Sequence, residues 1–138
     1  MITPEQIKQY EGKSIHWLVG NAQLYFNKYI RERDKNSRCI SCDNGKPEQA
    51  GHYFSAGHHQ ALRFNEMNCW GQCLRCNHFL RGNLINYRLG LLIRIGEAKL
   101  TELENLAAYY KRTGFKHDRL SLIETIITYR NKLKTNNQ

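Results

Sequence analysis

Apolar positions recur at helical spacing through both ends of this chain and lose that spacing in the middle. Thr3-Pro4-Glu5-Gln6 places a capping hydroxyl, a proline and an acidic first turn in order, which predicts a short helix ending near Gly12. Ser14 caps a longer predicted helix that reaches about Arg33, with Trp17, Leu18, Val19, Leu24, Tyr25 and Tyr29 as a core-facing stripe. Beyond Gly82 and Asn83, Leu84, Leu89, Leu91, Leu92, Ile93 and Ile95 mark another helix that breaks at Gly96. Residues 97–112 repeat the pattern with Leu100, Leu103, Leu106, Ala107 and Tyr110, and Gly114 supplies a C-terminal cap. Asp118 caps a last helix carrying Leu120, Leu122, Ile123, Ile126, Ile127, Tyr129 and Leu133, followed by a polar tail over 134–138.

The middle reads differently. Residues 49–55 and 61–64 are predicted as two short strands of a hairpin, joined by Ala56-Gly57-His58-His59-Gln60. A further helix is expected to start at Cys76-Asn77. The fold class is therefore α+β and mostly helical. Residues 1–138 are expected to form a single domain: N-terminal helices over 1–38, a core over 39–83 and a helical C-terminal third over 84–138.

Charge narrows the partners. The 138 residues carry a net charge of +9, which points to an anionic partner, nucleic acid before a membrane surface. No stretch approaches the roughly 18 uninterrupted apolar residues of a membrane span. The N-terminus shows no basic segment followed by an apolar run, so a cytoplasmic location is expected. In that reducing setting the five cysteines favour metal ligation over disulfides. Cys39-Ile-Ser-Cys42 and Cys73-Leu-Arg-Cys76 are two knuckles that together read as one structural zinc site of four thiolates. Cys69 stands outside both and is expected to be a small buried side chain.

A zinc staple serves many functions, so the residues it encloses matter more. Phosphodiester hydrolysis needs a base for the attacking water and a divalent cation on the phosphate oxygens. His52, on the first predicted strand, has the titration range of such a base. Asn77, directly after Cys76, offers a hard amide oxygen suited to magnesium or manganese. Asn68 could orient His52 or tie the hairpin to the second knuckle. The plainer roles are packing for a strand histidine and capping for an asparagine beside a turn. Lys46, Arg63, Arg75 and Arg81 are candidate DNA contacts, or ordinary surface charge. The basic run from Arg31 to Arg38 reads equally as a solvated helix end or a phosphate contact.

The order Cys-x-x-Cys, His, Asn, Cys-x-x-Cys-Asn resembles the HNH, or ββα-metal, nuclease motif. Phe26-Asn-Lys-Tyr-Ile-Arg-Glu-Arg-Asp34, Cys39-Ile-Ser-Cys42, Ala50-Gly-His-Tyr53, Leu62-Arg-Phe-Asn-Glu66, Gln72-Cys73, Cys76-Asn77, Gly82-Asn83 and Tyr87 together resemble the phage NinG (Rap) recombination-nuclease family over about residues 17–96. The resemblance implies a zinc-stapled HNH-like core and a phage-encoded endonuclease that cuts branched DNA such as Holliday junctions and D-loops. His52, Asn68 and Asn77 would be its catalytic residues. Paired nicks imply a homodimer, with the amphipathic C-terminal helices as its interface.

Many HNH sites carry an acidic metal ligand just before the histidine; here that position is Gly51. Either Asn77 is the sole protein ligand or another group helps, with His58 and His59 as auxiliary candidates. Cys69 and Trp70 also depart from the family pattern. Two competitors remain, a less selective HNH nicking enzyme and a non-catalytic zinc-stapled DNA-binding module.

Overall fold

The computed structural model describes residues 2–136. Five α-helices carry most of the chain: α1 (Pro4–Gln9), α2 (Ile15–Asp34), α3 (Leu84–Ile95), α4 (Glu97–Thr113) and α5 (Arg119–Asn136). Between α2 and α3 lie two antiparallel strands, β1 (Gln49–His52) and β2 (Cys69–Gln72). The class is α+β and mostly helical, as expected.

Helix starts follow the caps. Thr3 Oγ1 accepts from Gln6 N while Gln6 Oε1 accepts from Thr3 N, a reciprocal box that satisfies two otherwise orphaned donors. Ser14 Oγ accepts from Trp17 N, and Asp118 Oδ1 accepts from Ser121 N. Gly96 and Gly114, both at positive φ, end α3 and α4 where the pattern breaks. Of the polar tail expected over 134–138, α5 takes in the chain as far as Asn136, and residues 137–138 lie outside the described residues.

The buried line of α2 is Leu18, Ala22, Phe26 and Ile30, spaced every four residues. Trp17 and Leu24, expected in the core, face outward. Trp17 instead covers Tyr10 and carries Lys13 over its ring. Leu122, Ile123 and Ile126 of α5 close over Leu18, Ala22 and Tyr10, so the two ends of the chain share one core. A second core joins Ile40 of the first knuckle to Leu62, Tyr87, Leu91, Leu100 and Leu103. Phe26, Ile30, Cys69 and Tyr129 form a third, between α2, the strands and α5. No helix among the described residues is long and apolar enough to cross a membrane.

The hairpin differs from expectation. Residues 61–64 are not a strand: Gln60–Leu62 forms a single 3-10 turn inside a long loop, and β1 pairs with Cys69–Gln72 instead. The cause is Asn68. Its side chain accepts from Phe54 N at 2.8 Å and donates to Phe54 O at 2.9 Å and Leu62 O at 3.1 Å. One buried amide therefore satisfies backbone groups on both sides of the loop that a ladder would otherwise have to pair. Leu62 turns inward to the second core as a result.

Candidate metal centre and active site

The four knuckle sulfurs lie within 4.8 Å of one another. Cys42 Sγ and Cys73 Sγ are 3.9 Å apart, against about 3.8 Å for a tetrahedron with Zn–S near 2.3 Å. Gly45 N donates to Cys42 Sγ at 3.3 Å, Cys76 N to Cys73 Sγ at 3.4 Å and Asn83 Nδ2 to Cys76 Sγ at 3.5 Å. Such donors favour thiolate over thiol. Burial pushes the Cys42 thiol up, yet the N–H groups of Gly45 and Asn44 and the neighbouring thiols bring it down to about 7. Burial raises Cys39, and Cys76 to about 12, and the neighbouring thiols add to both; a bound cation would take up the thiolate charge. The donor set fits one structural zinc ion. Cys69 is fully buried and its thiol is pushed far up by burial, which suits a packing residue and not a ligand.

Strand register then sorts the enclosed residues. Gln49 pairs with Gln72 and Gly51 with Trp70, while Ala50 pairs with Gly71 and His52 with Cys69. Side chains alternate along a strand, so His52 and Cys69 share the face toward α2 and Gln49, Gly51, Trp70 and Gln72 share the other. On the first face the His52 ring stacks on Phe26 with centroids 6.3 Å apart. His52 Nε2 lies 2.9 Å from Arg63 O, a contact in which the ring nitrogen donates. Nδ1 then keeps its lone pair, 3.9 Å from Cys69 Sγ. Burial holds the His52 pKa below its ordinary value, and the Arg63 charge adds to this. The half-buried imidazole is thus neutral at pH 7 with one nitrogen able to accept a proton.

On the second face Asn77 sits in a single π turn, Arg75–Phe79, with its N–H donating to Cys73 O at 3.0 Å. Its Nδ2 reaches toward Gln49 Oε1 at 3.5 Å. Beside them Gln72 is completely buried. Gln72 Nε2 donates to Ser41 Oγ and to Gly82 O, both at 2.8 Å. Gln72 Oε1 is buried with no hydrogen-bond partner, a state that costs about 1–3 kcal/mol. That oxygen lies 1.8 Å from where a Cβ on Gly51 would be. While Gln72 is so placed, no side chain, acidic or otherwise, fits at 51. The Tyr87 hydroxyl pins the same residue by donating to Gly51 O at 2.6 Å.

The family described as Bacteriophage Lambda NinG protein matches residues 4–138. The chain belongs to that family. Protein ninG of Escherichia phage lambda is 39% identical over 102 residues, covering 72% of this chain and 50% of that protein. Protein ninG of Salmonella phage P22 is 39% identical with the same coverage, and that of Escherichia phage 933W is 38% identical over 51% of its length. The chain spans about half the length of these curated relatives. No solved structure matches it.

In this NinG-family chain the remaining candidates fall in three places. Asn68 closes the loop between the strands, and no hydrogen bond links its side chain to the His52 ring. Arg63 is spent internally: Nε donates to Gln23 Oε1 at 2.7 Å and Nη1 to Gln60 Oε1 at 3.2 Å. His58 is exposed, and His59 packs on Phe54 with centroids 4.9 Å apart. Both line a cavity of about 270 Å³ with Tyr110, Lys111 and Phe115. Among the described residues neither joins a cluster of three or more metal-ligating groups. Arg75, Arg81 and Lys46 are exposed. Lys46 lines an open cleft of about 560 Å³ with Arg31, Lys35 and Arg38, so part of the basic run faces one concave surface.

Three structural residues went unassigned in the sequence. Gln72 and Gln49 carried no signal without the register, because their shared face depends on which strand pairs with β1. Asp34 closes α2 against β2 by accepting from Gly71 N at 2.8 Å, while Arg33 bridges it to Cys69 O at 2.8 Å and lies 4.0 Å over the Trp70 ring. An acidic residue ending a basic helix was the one clue to that tie.

Proposed function

We propose that this NinG-family protein is a divalent-metal-dependent DNA endonuclease that cuts branched recombination intermediates, Holliday junctions and D-loops among them. The observation that carries the reading is the placement of Asn77. It follows a zinc-site cysteine, lies beside β1, and β1 ends in a histidine that is neutral and able to take a proton.

In the mechanism His52 accepts a proton from the attacking water, with its other ring nitrogen held by the Arg63 carbonyl. Asn68 keeps the loop that carries Arg63 in place. Asn77, half-buried beside Gln49, offers an amide oxygen. Such a donor fits a hard magnesium or manganese ion better than zinc. When bound, such an ion stabilises negative charge on the phosphate oxygens. Arg31, Lys35, Arg38 and Lys46 would hold the flanking backbone along their shared cleft, with Arg75 and Arg81 exposed near the second knuckle.

One observation favours a second reading, a zinc-stapled DNA-binding module without catalysis. His52 and Asn77 meet opposite faces of the strand pair, and His52 is engaged by Phe26, Arg63 and Cys69. Zinc-replete wild type, His52→Ala and Asn77→Ala, compared on a four-way junction in magnesium, separate the two. The nuclease loses its cutting in both variants; the binding module never cuts. Linear and flapped duplexes in the same assay distinguish a junction enzyme from a less selective nicking one.

A homodimer would supply paired nicks, but not through α5, whose inner face already packs on α2. The most exposed large apolar residues among those described lie on α3, where Ile85 is 83% and Ile93 87% exposed beside Leu89 and Leu92. A second copy seated there buries them. Ile93→Glu should then convert a dimer to a monomer by light scattering with an unchanged Tm, and a wild-type monomer removes the idea.

A further inference from the structure

The π turn that carries Asn77 ends in an aromatic ring left in water. Phe79 is 69% exposed, and Leu80 after it is 43% exposed. The turn itself is closed. Leu80 N donates to Arg75 O and Gly82 N to Cys76 O, both at 2.8 Å, and Arg81 N donates to His78 O at 3.3 Å. Phe79 is therefore held out on backbone that is tied to a knuckle cysteine. Its aromatic neighbour is His78, with centroids 4.9 Å apart and planes at 82°. An edge-to-face contact of that kind covers at most one face of the phenyl ring.

The surroundings of the ring are cationic. Arg75, His78 and Arg81 are exposed in the same short stretch. Among the described residues neither arginine lies within ion-pair distance of a carboxylate. From Met67 to Gly96 the chain contains no Asp or Glu at all. An exposed apolar tip with a polar rim marks an interaction site, and this rim suits a polyanion. A second copy seated on the turn by two-fold symmetry would instead bring the same cations together.

We infer that Phe79 recognises the branch itself, stacking its free face on a base left unstacked at the branch point while Arg75 and Arg81 hold the flanking phosphates. This inference rests on the nuclease reading above and deepens it by naming the residue that selects the substrate. In continuous duplex each base is covered on both faces by its neighbours, and opening a step costs free energy. A branch interrupts the stack and leaves a base face open. The ring thus adds affinity on branched DNA and none on linear DNA, whereas the arginines act on both. Asn77 lies two residues before Phe79, so the ring and the proposed cation ligand share one turn.

Zinc-loaded wild type, Phe79→Ala, Phe79→Leu and Phe79→Trp are titrated without magnesium against a fluorescent four-way junction and a linear duplex of the same arm sequence. Phe79→Ala should weaken junction binding by about fivefold or more and duplex binding by less than about twofold, with Tm, zinc content and light-scattering mass unchanged. Phe79→Trp, with a larger face, should keep junction binding; Phe79→Leu, apolar but without a π face, should not. Arg75→Ala should weaken both DNAs alike.

No loss in Phe79→Ala, an equal loss on both DNAs, or wild-type junction binding by Phe79→Leu overturns the assignment. So does a smaller mass for Phe79→Ala, which would make the turn a contact between copies. Junction cleavage in magnesium separates the two levels of the argument. If wild type cuts but Phe79→Ala shows no selective loss, only the role of Phe79 falls. If the loss is selective but wild type never cuts, Phe79 keeps its role and the nuclease reading falls. A wild type that binds no junction overturns both.

Discussion

The two faces of the β1–β2 pair take four residues each and differ in how they are packed. Toward α2 the face is packed: Ala50, His52, Cys69 and Gly71 lie against Phe26 and Asp34, and the one titratable ring is held neutral by burial. Toward the second knuckle the face is more polar: Gln49 and Gln72 lie beside Gly51 and Trp70, Gln72 Oε1 has no partner, and Asn77 comes in from the turn of the second knuckle. In the proposed nuclease the packed face would move the proton and the polar face would hold the cation, with the four-cysteine site fixing the turn that carries Asn77.

Losing the zinc should therefore have the largest effect and strike the polar face first. Cys76→Ser removes a ligand from a site of the type whose metal contributes on the order of 10 kcal/mol, comparable to the whole margin of a small domain. The variant should purify without stoichiometric zinc, and the amides of residues 39–83 should lose protection from hydrogen exchange. Protection that survives metal loss would mean the cores alone hold the polar face.

A smaller perturbation tests how tightly that face is packed. Gly51→Ala puts a methyl where Gln72 Oε1 lies, an overlap that should cost about 1–3 kcal/mol in urea unfolding. Gly51→Ala combined with Gln72→Ala should cost less than the sum of the two single changes, because truncating Gln72 removes the atom that the new methyl would meet. Simple additivity would show that the two residues do not meet.

The packed face should show itself in pH dependence. The folded pKa of His52 lies below the unfolded value, near 6.5. Between those two values the unfolded chain takes up a proton that the fold refuses, so stability falls as the pH drops below about 6.5. His59 and His117 are shifted the same way, by burial first, and add to the slope. Each group contributes at most about 1.4 kcal/mol per pH unit. His52→Gln should flatten the fall in urea midpoint between pH 7.5 and 5.5; an unaltered slope would place the imidazole in water.

This contrast between faces was only half legible in the sequence. Caps and apolar spacing located the five α-helices, since Thr3, Ser14, Gly96, Gly114 and Asp118 each act through local hydrogen bonds or backbone conformation, though α1 stops at Gln9, short of Gly12, and the helix expected from Cys76-Asn77 is a single π turn. The knuckles were legible because ligand spacing is local too. The hairpin was not. Apolar content at 61–64 resembled a strand, but Asn68 reaches 14 residues back to Phe54 and turns that stretch into a loop. With the wrong partner strand, neither the burial of Gln72 nor the opposite facing of His52 and Asn77 could be read. The same register explains Gly51, whose missing side chain is a matter of space already filled.

The most direct test is the rate of four-way junction cleavage in magnesium by wild type, His52→Ala and Asn77→Ala, each carrying stoichiometric zinc. If the two faces cooperate on one phosphate, wild type cuts and each substitution slows it by about a hundredfold or more, with junction binding intact. Cutting at the wild-type rate by either variant, or none by wild type, would contradict the nuclease reading.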